Sequence, residues 1–278
     1  MWKNLKERRK MENEIIQISV VTSGKDSFVP NLTTYVPNTE NRNKPAVLVF
    51  GGGGYKCVTQ YEAAPTAEYF SERGFAAFAV HYSCLPATFP QSLCEGLWAV
   101  RYLRRNAEKF GIDPENITAL GFSAGGHLAA ATGLLWNIPQ VKEYLGENTA
   151  DCRPDKLVLC YPVLSNEGAF HRESFLNLLG QAGVNDPKLM KLTSLERHVT
   201  KETPPTFLWH GSADSFVPVE GSLRFAAALA ECHVPMECHI YPFANHGGGL
   251  CRGLAQGEWA EKAWNFIKDE RLSERKQG

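Results

Sequence analysis

The chain has 278 residues, with 29 Lys plus Arg against 30 Asp plus Glu and a formal net charge of −1. Hydrophobic residues make up 44% of the sequence and charged residues 21%, which excludes a wholly disordered chain. The nearly neutral charge creates no basic field that would attract a phosphate backbone, so we expect no nucleic-acid partner.

The N-terminal residues and the cysteines indicate the cellular compartment of the protein. Met1–Lys10 is basic but has no apolar segment behind it, which is not typical of a secretory signal. No stretch approaches the roughly 18 apolar residues of a membrane span. We therefore expect a cytoplasmic protein without a membrane partner, in which residues 1–12 form a solvated terminal segment. None of the eight cysteines forms a Cys-x-x-Cys pair, so the sequence predicts neither a zinc site nor a disulfide framework.

Apolar runs of strand type alternate with stretches of helical periodicity along the chain. The predicted strands are Ile15–Val21, Leu32–Val36, Ala46–Phe50, Phe75–Tyr82, Ile117–Phe122, Lys156–Leu164, Thr206–Trp209 and Glu237–Tyr241. The predicted helices are Thr66–Arg73, Leu93–Phe110, Ala124–Leu135, Pro218–Glu231 and Trp259–Lys268. This alternation predicts an α/β fold whose mostly parallel sheet is covered by helices on both faces. No internal repeat or linker interrupts it, so we expect one domain over residues 1–278.

Residues 165–204 depart from this alternation. The segment contains Phe170, Phe175 and Leu179 among many polar residues, and it has no strand pattern. An insertion of this kind either roofs a pocket near the active site or forms a peripheral helical excursion.

Four consecutive glycines, Gly51–Gly54, follow the third predicted strand. Glycines at such a place let the backbone turn its N–H groups toward a substrate oxygen, and Tyr55 after them is predicted to contact the substrate. A phosphate-binding loop is disfavoured, because Lys56 occupies the third glycine position of a Gly-x-Gly-x-x-Gly motif and no Gly-x-x-x-x-Gly-Lys pattern is present. The segment is more typical of an oxyanion hole.

Ser123 lies in a Gly-x-Ser-x-Gly sequence that begins at Gly121. The motif comes directly after a predicted strand and opens a predicted helix, which is the setting of a nucleophile elbow. A serine N-cap with glycines for tight packing is the structural alternative. In the elbow, the N–H group of Ala124 at the helix N-terminus joins those of Gly52 and Gly53 as predicted oxyanion donors.

A serine nucleophile needs a base that is oriented by a carboxylate, in the chain order Ser, acid, His. Asp214 follows the strand Thr206–Trp209 and is the predicted acid, with an ordinary turn residue as the alternative. Asp186 and Glu196 lie in the irregular insertion, where their positions would be loose, and Glu220 belongs to the first turn of the next helix.

The predicted base is His246, which lies in a glycine-rich loop just past the last strand. His233 at a helix end and His239 within a strand are predicted to be structural. His127, one helical turn after Ser123, is predicted to be a buried packing or hydrogen-bonding residue. The remaining candidates stand at strand ends beside the pocket and have no assigned proton-transfer role: His81 and His210.

These residues together resemble the α/β-hydrolase superfamily. The resemblance is to its acetyl esterase/lipase group, which includes hormone-sensitive-lipase-like esterases and small acetylxylan and feruloyl esterases. In that group the glycine motif usually opens with His or Pro, where this chain has Gly51. The motifs that carry the resemblance are Gly51–Tyr55, Tyr102–Pro114, Gly121–His127, Cys160–Val163, Pro204–His210, Asp214 with Val217–Pro218, and His246–Gly247.

The resemblance implies an α/β-hydrolase fold and hydrolysis of short acyl esters by a Ser-His-Asp acyl-enzyme mechanism, without a metal or organic cofactor. The expected partner is a small-molecule ester substrate, with acetylated xylo-oligosaccharides as candidates. An amidase or arylformamidase with the same triad and a non-catalytic ligand-binding protein of the same fold are the alternatives. A homo-oligomer is left open.

Overall fold

The computed structural model describes residues 13–20, 28–39 and 41–272. The predicted terminal segment 1–12 and Val21, the end of the first predicted strand, lie outside the described residues. No helix in the described ranges is long and apolar enough to cross a membrane.

The described strands form one sheet in the order β1-β2-β4-β3-β5-β6-β7-β8. Their bounds are β1 Ile15–Gln17, β2 Asn31–Tyr35, β3 Lys44–Phe50, β4 Ala76–His81, β5 Ile112–Phe122, β6 Lys156–Cys160, β7 Thr206–Gly211 and β8 Met236–Tyr241. The pairs β1–β2 and β2–β4 are antiparallel. All other neighbours are parallel. This topology confirms the predicted mostly parallel sheet.

Helices cover both faces of the sheet, as predicted. Their bounds are α1 Gln60–Ser71, α2 Gln91–Arg105, α3 Ala107–Phe110, α4 Ser123–Leu134, α5 Pro139–Leu145, α6 Arg172–Gly183, α7 Pro187–Leu192, α8 Glu220–Glu231 and α9 Trp259–Lys268. Residues of α2, α4 and α8 share a buried apolar cluster with one face of the strands. Residues of α1 and α9 share a second cluster with the other face. In β3, Leu48 belongs to the first cluster and Val49 to the second, which explains the continuous apolar run.

Two element boundaries differ from the prediction in ways that matter for the site. Helix α1 begins at Gln60, six residues before the predicted start at Thr66, and contains Pro65 in its interior. Because proline is typical of a helix start, the pattern misplaced this boundary. Strand β6 ends at Cys160 rather than Leu164, because Tyr161 adopts a positive φ of 38°.

Candidate active site

The sharp turn between β5 and α4 carries Ser123, whose φ of 52° lies in the left-handed region. Two glycines make this turn possible. A Cβ atom on Gly121 would lie 2.1 Å from the carbonyl oxygen of Gly125, and one on Gly125 would lie 2.3 Å from that of Gly51. A side chain at Gly121 would therefore clash within the turn itself. A side chain at Gly125 would push the turn away from the glycine-rich segment Gly51–Gly54, here called the glycine loop.

His246 reaches Ser123 from the segment Asn245–Gly249 that follows β8, here called the histidine loop. Its Nε2 lies 2.9 Å from Ser123 Oγ, and its Nδ1 lies 2.7 Å from Asp214 Oδ2. Because an ionised carboxylate only accepts hydrogen bonds, Nδ1 carries the proton and Nε2 accepts the hydroxyl proton of Ser123. The structure thus brings the predicted nucleophile, base and acid into one hydrogen-bonded chain.

Asp214 lies in the loop after β7, and its side chain is fully buried. Oδ1 accepts hydrogen bonds from the backbone N–H groups of Phe216 at 2.9 Å and Val217 at 2.8 Å. Oδ2 accepts from His246 and, at 3.0 Å, from His210 Nε2. Burial alone would raise the pKa of Asp214, but the hydrogen bonds from the two histidines and Val217 hold it well below its usual value. The carboxylate is therefore ionised wherever the protein is folded at moderate pH.

His210 is a site residue to which the sequence assigned no role. It is fully buried behind Asp214 rather than beside the pocket. Its Nε2 faces two acceptors, Asp214 Oδ2 and the carbonyl of Val217 at 3.0 Å, so this nitrogen carries a proton. Its Nδ1 lies 2.7 Å from Ser222 Oγ on α8. The four-residue spacing of His210 and Asp214 was the only sequence signal for their hydrogen bond. Nothing in the sequence shows that both side chains turn inward.

The glycine loop corrects one predicted oxyanion donor. The N–H group of Gly52 donates a 2.7 Å hydrogen bond to Oε2 of Glu62, a buried carboxylate on α1, so it does not face the position of an oxyanion. Gly53 has a φ of 119° and borders the pocket beside Ser123. Ala124 lies in the first turn of α4, where backbone N–H groups have no acceptor within the helix. Gly53 and Ala124 thus stay as the candidate donors.

Tyr55 was predicted to contact the substrate, and the structure corrects this expectation. The residue is buried, and its hydroxyl lies 2.7 Å from Nδ1 of His127. Its ring packs edge-on against the rings of Tyr82 and His127. Tyr55 therefore supports the glycine loop from behind the pocket wall.

His127 is buried and hydrogen-bonded, as predicted. Its Nε2 donates to the carbonyl oxygen of Thr193 at 2.9 Å, so Nδ1 is the acceptor for the hydroxyl of Tyr55. Burial lowers the pKa of His127 to about 4, although the hydrogen bond to Thr193 acts in the opposite direction. One neutral imidazole thus joins α4 to the insertion and to Tyr55, the residue that follows the glycine loop.

We expect this imidazole to make folding stability depend on pH. Folding favours the neutral form, so the stabilisation is complete above pH 6.5, falls as the unfolded chain binds protons below that value, and is lost near pH 4. The shift corresponds to about 3 kcal/mol in the free energy of unfolding. Urea unfolding of the wild type and of His127→Gln between pH 7.5 and 4 measures this contribution. Glutamine can keep both hydrogen bonds but does not titrate, so identical pH dependence in the two proteins would contradict the assignment.

A pocket with a volume of about 250 Å³ opens above Ser123 and His246. Helix α6 of the insertion borders it, and Asn177 on this helix donates a 2.8 Å hydrogen bond to the carbonyl of Gly54. The insertion therefore roofs part of the site, the first of the two alternatives. The lining also includes charged, polar and aromatic side chains: Lys56, Thr59, Tyr61, Glu62, His171, Glu173 and Phe216.

Within residues 13–20, 28–39 and 41–272, no group of three or more His, Cys, Asp or Glu side chains is placed to hold a metal ion.

Comparison with known proteins identifies the family. The family model BD-FAE matches residues 32–229. Endo-1,4-beta-xylanase B of Butyrivibrio fibrisolvens is 35% identical over 229 residues, which are 79% of this chain and 35% of that protein. An acetylxylan esterase of Xylanibacter ruminicola is 31% identical over 237 residues, covering 83% of this chain and 45% of that protein.

A solved structure matches over nearly the full length of both chains. The acetyl ester-xyloside bifunctional hydrolase of Caldicellulosiruptor lactoaceticus superposes with a TM-score of 0.81 at 37% identity, covering 92% of this chain and 98% of that chain. This chain spans less than half of the length of the two curated relatives named above. The matches confirm the α/β-hydrolase fold, and the chain belongs to the BD-FAE family, a hormone-sensitive-lipase-like group of α/β-hydrolases.

Proposed function

We propose that this protein is a serine carboxylic ester hydrolase that cleaves short acyl esters through an acyl-enzyme. The observation that carries the proposal is the hydrogen-bonded chain from Ser123 through His246 to Asp214 at the floor of an open pocket. The relatives named above include an acetylxylan esterase and an acetyl ester-xyloside hydrolase, which supports the same class of reaction.

The geometry accounts for each proton that the reaction moves. Ser123 Oγ attacks the ester carbonyl while His246 Nε2 takes the hydroxyl proton, and the imidazolium that forms is stabilised by the ionised Asp214. The N–H groups of Gly53 and Ala124 stabilise the oxygen that becomes negatively charged. His246 then donates its proton to the leaving alcohol. In the second half-reaction it takes a proton from the attacking water and returns it to Ser123 Oγ as the acid is released.

The pocket favours a small acyl group on a polar alcohol. A volume of about 250 Å³ lies below the roughly 300–1,000 Å³ of drug-sized ligand sites, so a long acyl chain would not fit inside it. Lys56 and Glu173 supply charged groups at its border, and the exposed rings of Tyr61 and Phe216 supply flat apolar surfaces. This combination suits a sugar, and we propose acetylated xylo-oligosaccharides as substrates.

The single domain over residues 1–278, the cytoplasmic location and a homo-oligomer stay predictions.

A panel of substrates tests this assignment. We expect p-nitrophenyl acetate and propionate to have the highest kcat/KM, with a decrease of about 10-fold or more at octanoate, because each methylene that does not fit loses binding energy in the transition state. Acetate release from acetylated xylo-oligosaccharides is expected and is measured by an enzyme-coupled assay. A higher rate on formanilides than on these esters would favour the amidase alternative.

Glu173 provides a variant for the alcohol side of the pocket. Glu173→Gln is expected to raise KM for the acetylated oligosaccharide and to leave p-nitrophenyl acetate unaffected, because hydrogen bonds from sugar hydroxyl groups would be weakened. Glu202→Gln, on the same insertion but away from the pocket lining, serves as the control. Equal changes for both substrates would contradict a sugar contact at Glu173.

A further inference from the structure

A buried carboxylate stands between the two loops that hold the site together. Glu62 on α1 is only 2% exposed, and both of its oxygens accept hydrogen bonds. Oε2 accepts from the N–H group of Gly52 at 2.7 Å and from the hydroxyl of Thr59. Oε1 accepts from the hydroxyl of Tyr161 at 2.7 Å. A buried charge is costly unless it is hydrogen-bonded, so these three donors and the carboxylate fix one another.

Tyr161 extends this connection to the histidine loop. Its hydroxyl oxygen accepts a 3.1 Å hydrogen bond from the N–H group of Gly249. Its ring packs edge-on against the ring of His246, with centroids 5.0 Å apart. Tyr161 is fully buried, and its positive φ of 38° turns the chain at the end of β6, immediately beyond the last strand residue. The tyrosine thus contacts the histidine loop both at its backbone and at the base itself.

The glycine loop has little freedom to move away from this carboxylate. A Cβ atom on Gly52 would lie 2.9 Å from Glu62 Oε2 and 3.0 Å from Ser123 Cβ, so the backbone of Gly52 is wedged between the carboxylate and the serine. On the other side, the carbonyl of Gly249 accepts a 3.0 Å hydrogen bond from Trp259 Nε1 on α9. Both loops are therefore held by the same buried pair. Each also has hydrogen bonds of its own, from Trp259 to Gly249 in the histidine loop and from Asn177 to Gly54 in the glycine loop.

We propose that Glu62 and Tyr161 are positioning residues that couple the glycine loop to the histidine loop, so that the oxyanion donors and the base keep their places relative to Ser123 together. This proposal rests on the proposed function, since the alignment matters for rate only if Ser123 is the nucleophile. Both residues act through others: Glu62 through the N–H group of Gly52, and Tyr161 through the N–H group of Gly249 and the ring of His246.

Tyr161→Phe removes the bridging hydroxyl and keeps the ring against His246. We expect kcat for p-nitrophenyl acetate to fall about 10- to 100-fold with KM changed less than about 3-fold, because small misplacements of reacting groups cost rate rather than binding. We also expect hydrogen–deuterium exchange to become about fivefold faster both in the peptide that covers the glycine loop and in the peptide that covers the histidine loop. Tyr241→Phe is the control: it removes a hydroxyl whose 3.3 Å hydrogen bond goes to Glu258, outside the site, and both readouts should stay at wild-type values.

Glu62→Gln tests the same pair from its other end and keeps the side-chain volume. If the pair acts as one unit, the double variant Glu62→Gln/Tyr161→Phe loses about as much kcat as the more impaired single variant. Multiplying losses, or faster exchange confined to one loop, would overturn the coupling. The exchange measurement needs no turnover, so it tests the coupling even if the wild-type protein hydrolyses no ester. Absence of ester hydrolysis by the wild type would refute the proposed function and leave the coupling of the loops to be decided by exchange. Should Tyr161→Phe fail to fold, Glu62→Gln alone supplies the exchange comparison of the two loops.

Discussion

Replacing Ser123 by alanine is expected to lower kcat for hydrolysis of p-nitrophenyl acetate by about 10⁴- to 10⁶-fold, as in other enzymes that lose a serine nucleophile. The variant keeps the Cβ atom that packs near Gly52, so the turn and the glycine loop should stay in place. What disappears is the hydroxyl group that donates a 2.9 Å hydrogen bond to His246 Nε2. The residual rate would come from water attacking a carbonyl still polarised by the N–H groups of Gly53 and Ala124.

A covalent probe gives the second readout of this variant. A fluorophosphonate should label the wild type at Ser123 and leave Ser123→Ala unlabelled, which intact mass spectrometry detects. Ser165→Ala is the matched control, because this buried serine bonds to Glu196 in the insertion and lies outside the pocket lining. Near-wild-type activity or persistent labelling of Ser123→Ala would show that another residue is the nucleophile. Such a result would contradict the esterase and the amidase alternatives equally, because both assign the attack to Ser123.

The parts of the site that the sequence predicted are those set by local constraints. The turn at Ser123 requires glycines at fixed offsets, since any Cβ on Gly121 or Gly125 would meet backbone atoms about 2 Å away, and such a requirement leaves a readable motif. Asp214 and His246 follow from the rule that catalytic groups lie past the carboxyl ends of strands, where the topology collects them. The sheet was predictable for a similar reason, because inner parallel strands such as β4 and β6 are buried on both faces and leave continuous apolar runs in the sequence.

The parts that sequence reasoning missed depend on contacts between distant segments. Glu62 lies ninety-nine positions from Tyr161, with which it shares a hydrogen bond, and no local pattern reports that distance. The misplaced start of α1 also left Glu62 outside any predicted helix. Tyr55 was assigned to the pocket because it follows the glycines, but its partner His127 lies seventy-two residues away in the core. A polar side chain beside a motif is therefore ambiguous until its partner is known.

Asp214 shows how such distant contacts decide chemistry. Four donors converge on its two oxygens: two backbone N–H groups on Oδ1, and two histidine N–H groups on Oδ2. An asparagine at this position must place its NH₂ group against one of these pairs. The backbone pair cannot lose its protons, whereas an imidazole can move its proton to the other ring nitrogen. The NH₂ group should therefore face His246, whose Nδ1 becomes the acceptor and whose proton moves to Nε2. The N–H group of His210 keeps the carbonyl of Val217 as its acceptor.

Asp214→Asn is accordingly expected to lower kcat for p-nitrophenyl acetate about 10⁴-fold near pH 7, because a protonated Nε2 cannot accept the proton of Ser123. Nitrogen-15 NMR of labelled histidine tests the cause directly, since the signals of His246 should change from the Nδ1–H to the Nε2–H tautomer. Asp186→Asn is the matched control. Asp186 caps α7 by accepting from the N–H group of Lys188, a role that asparagine also fills, so its activity should equal that of the wild type. A tautomer change without a rate loss would mean that His246 is not the base, whereas a rate loss with the wild-type tautomer would assign the effect of Asp214 to its charge.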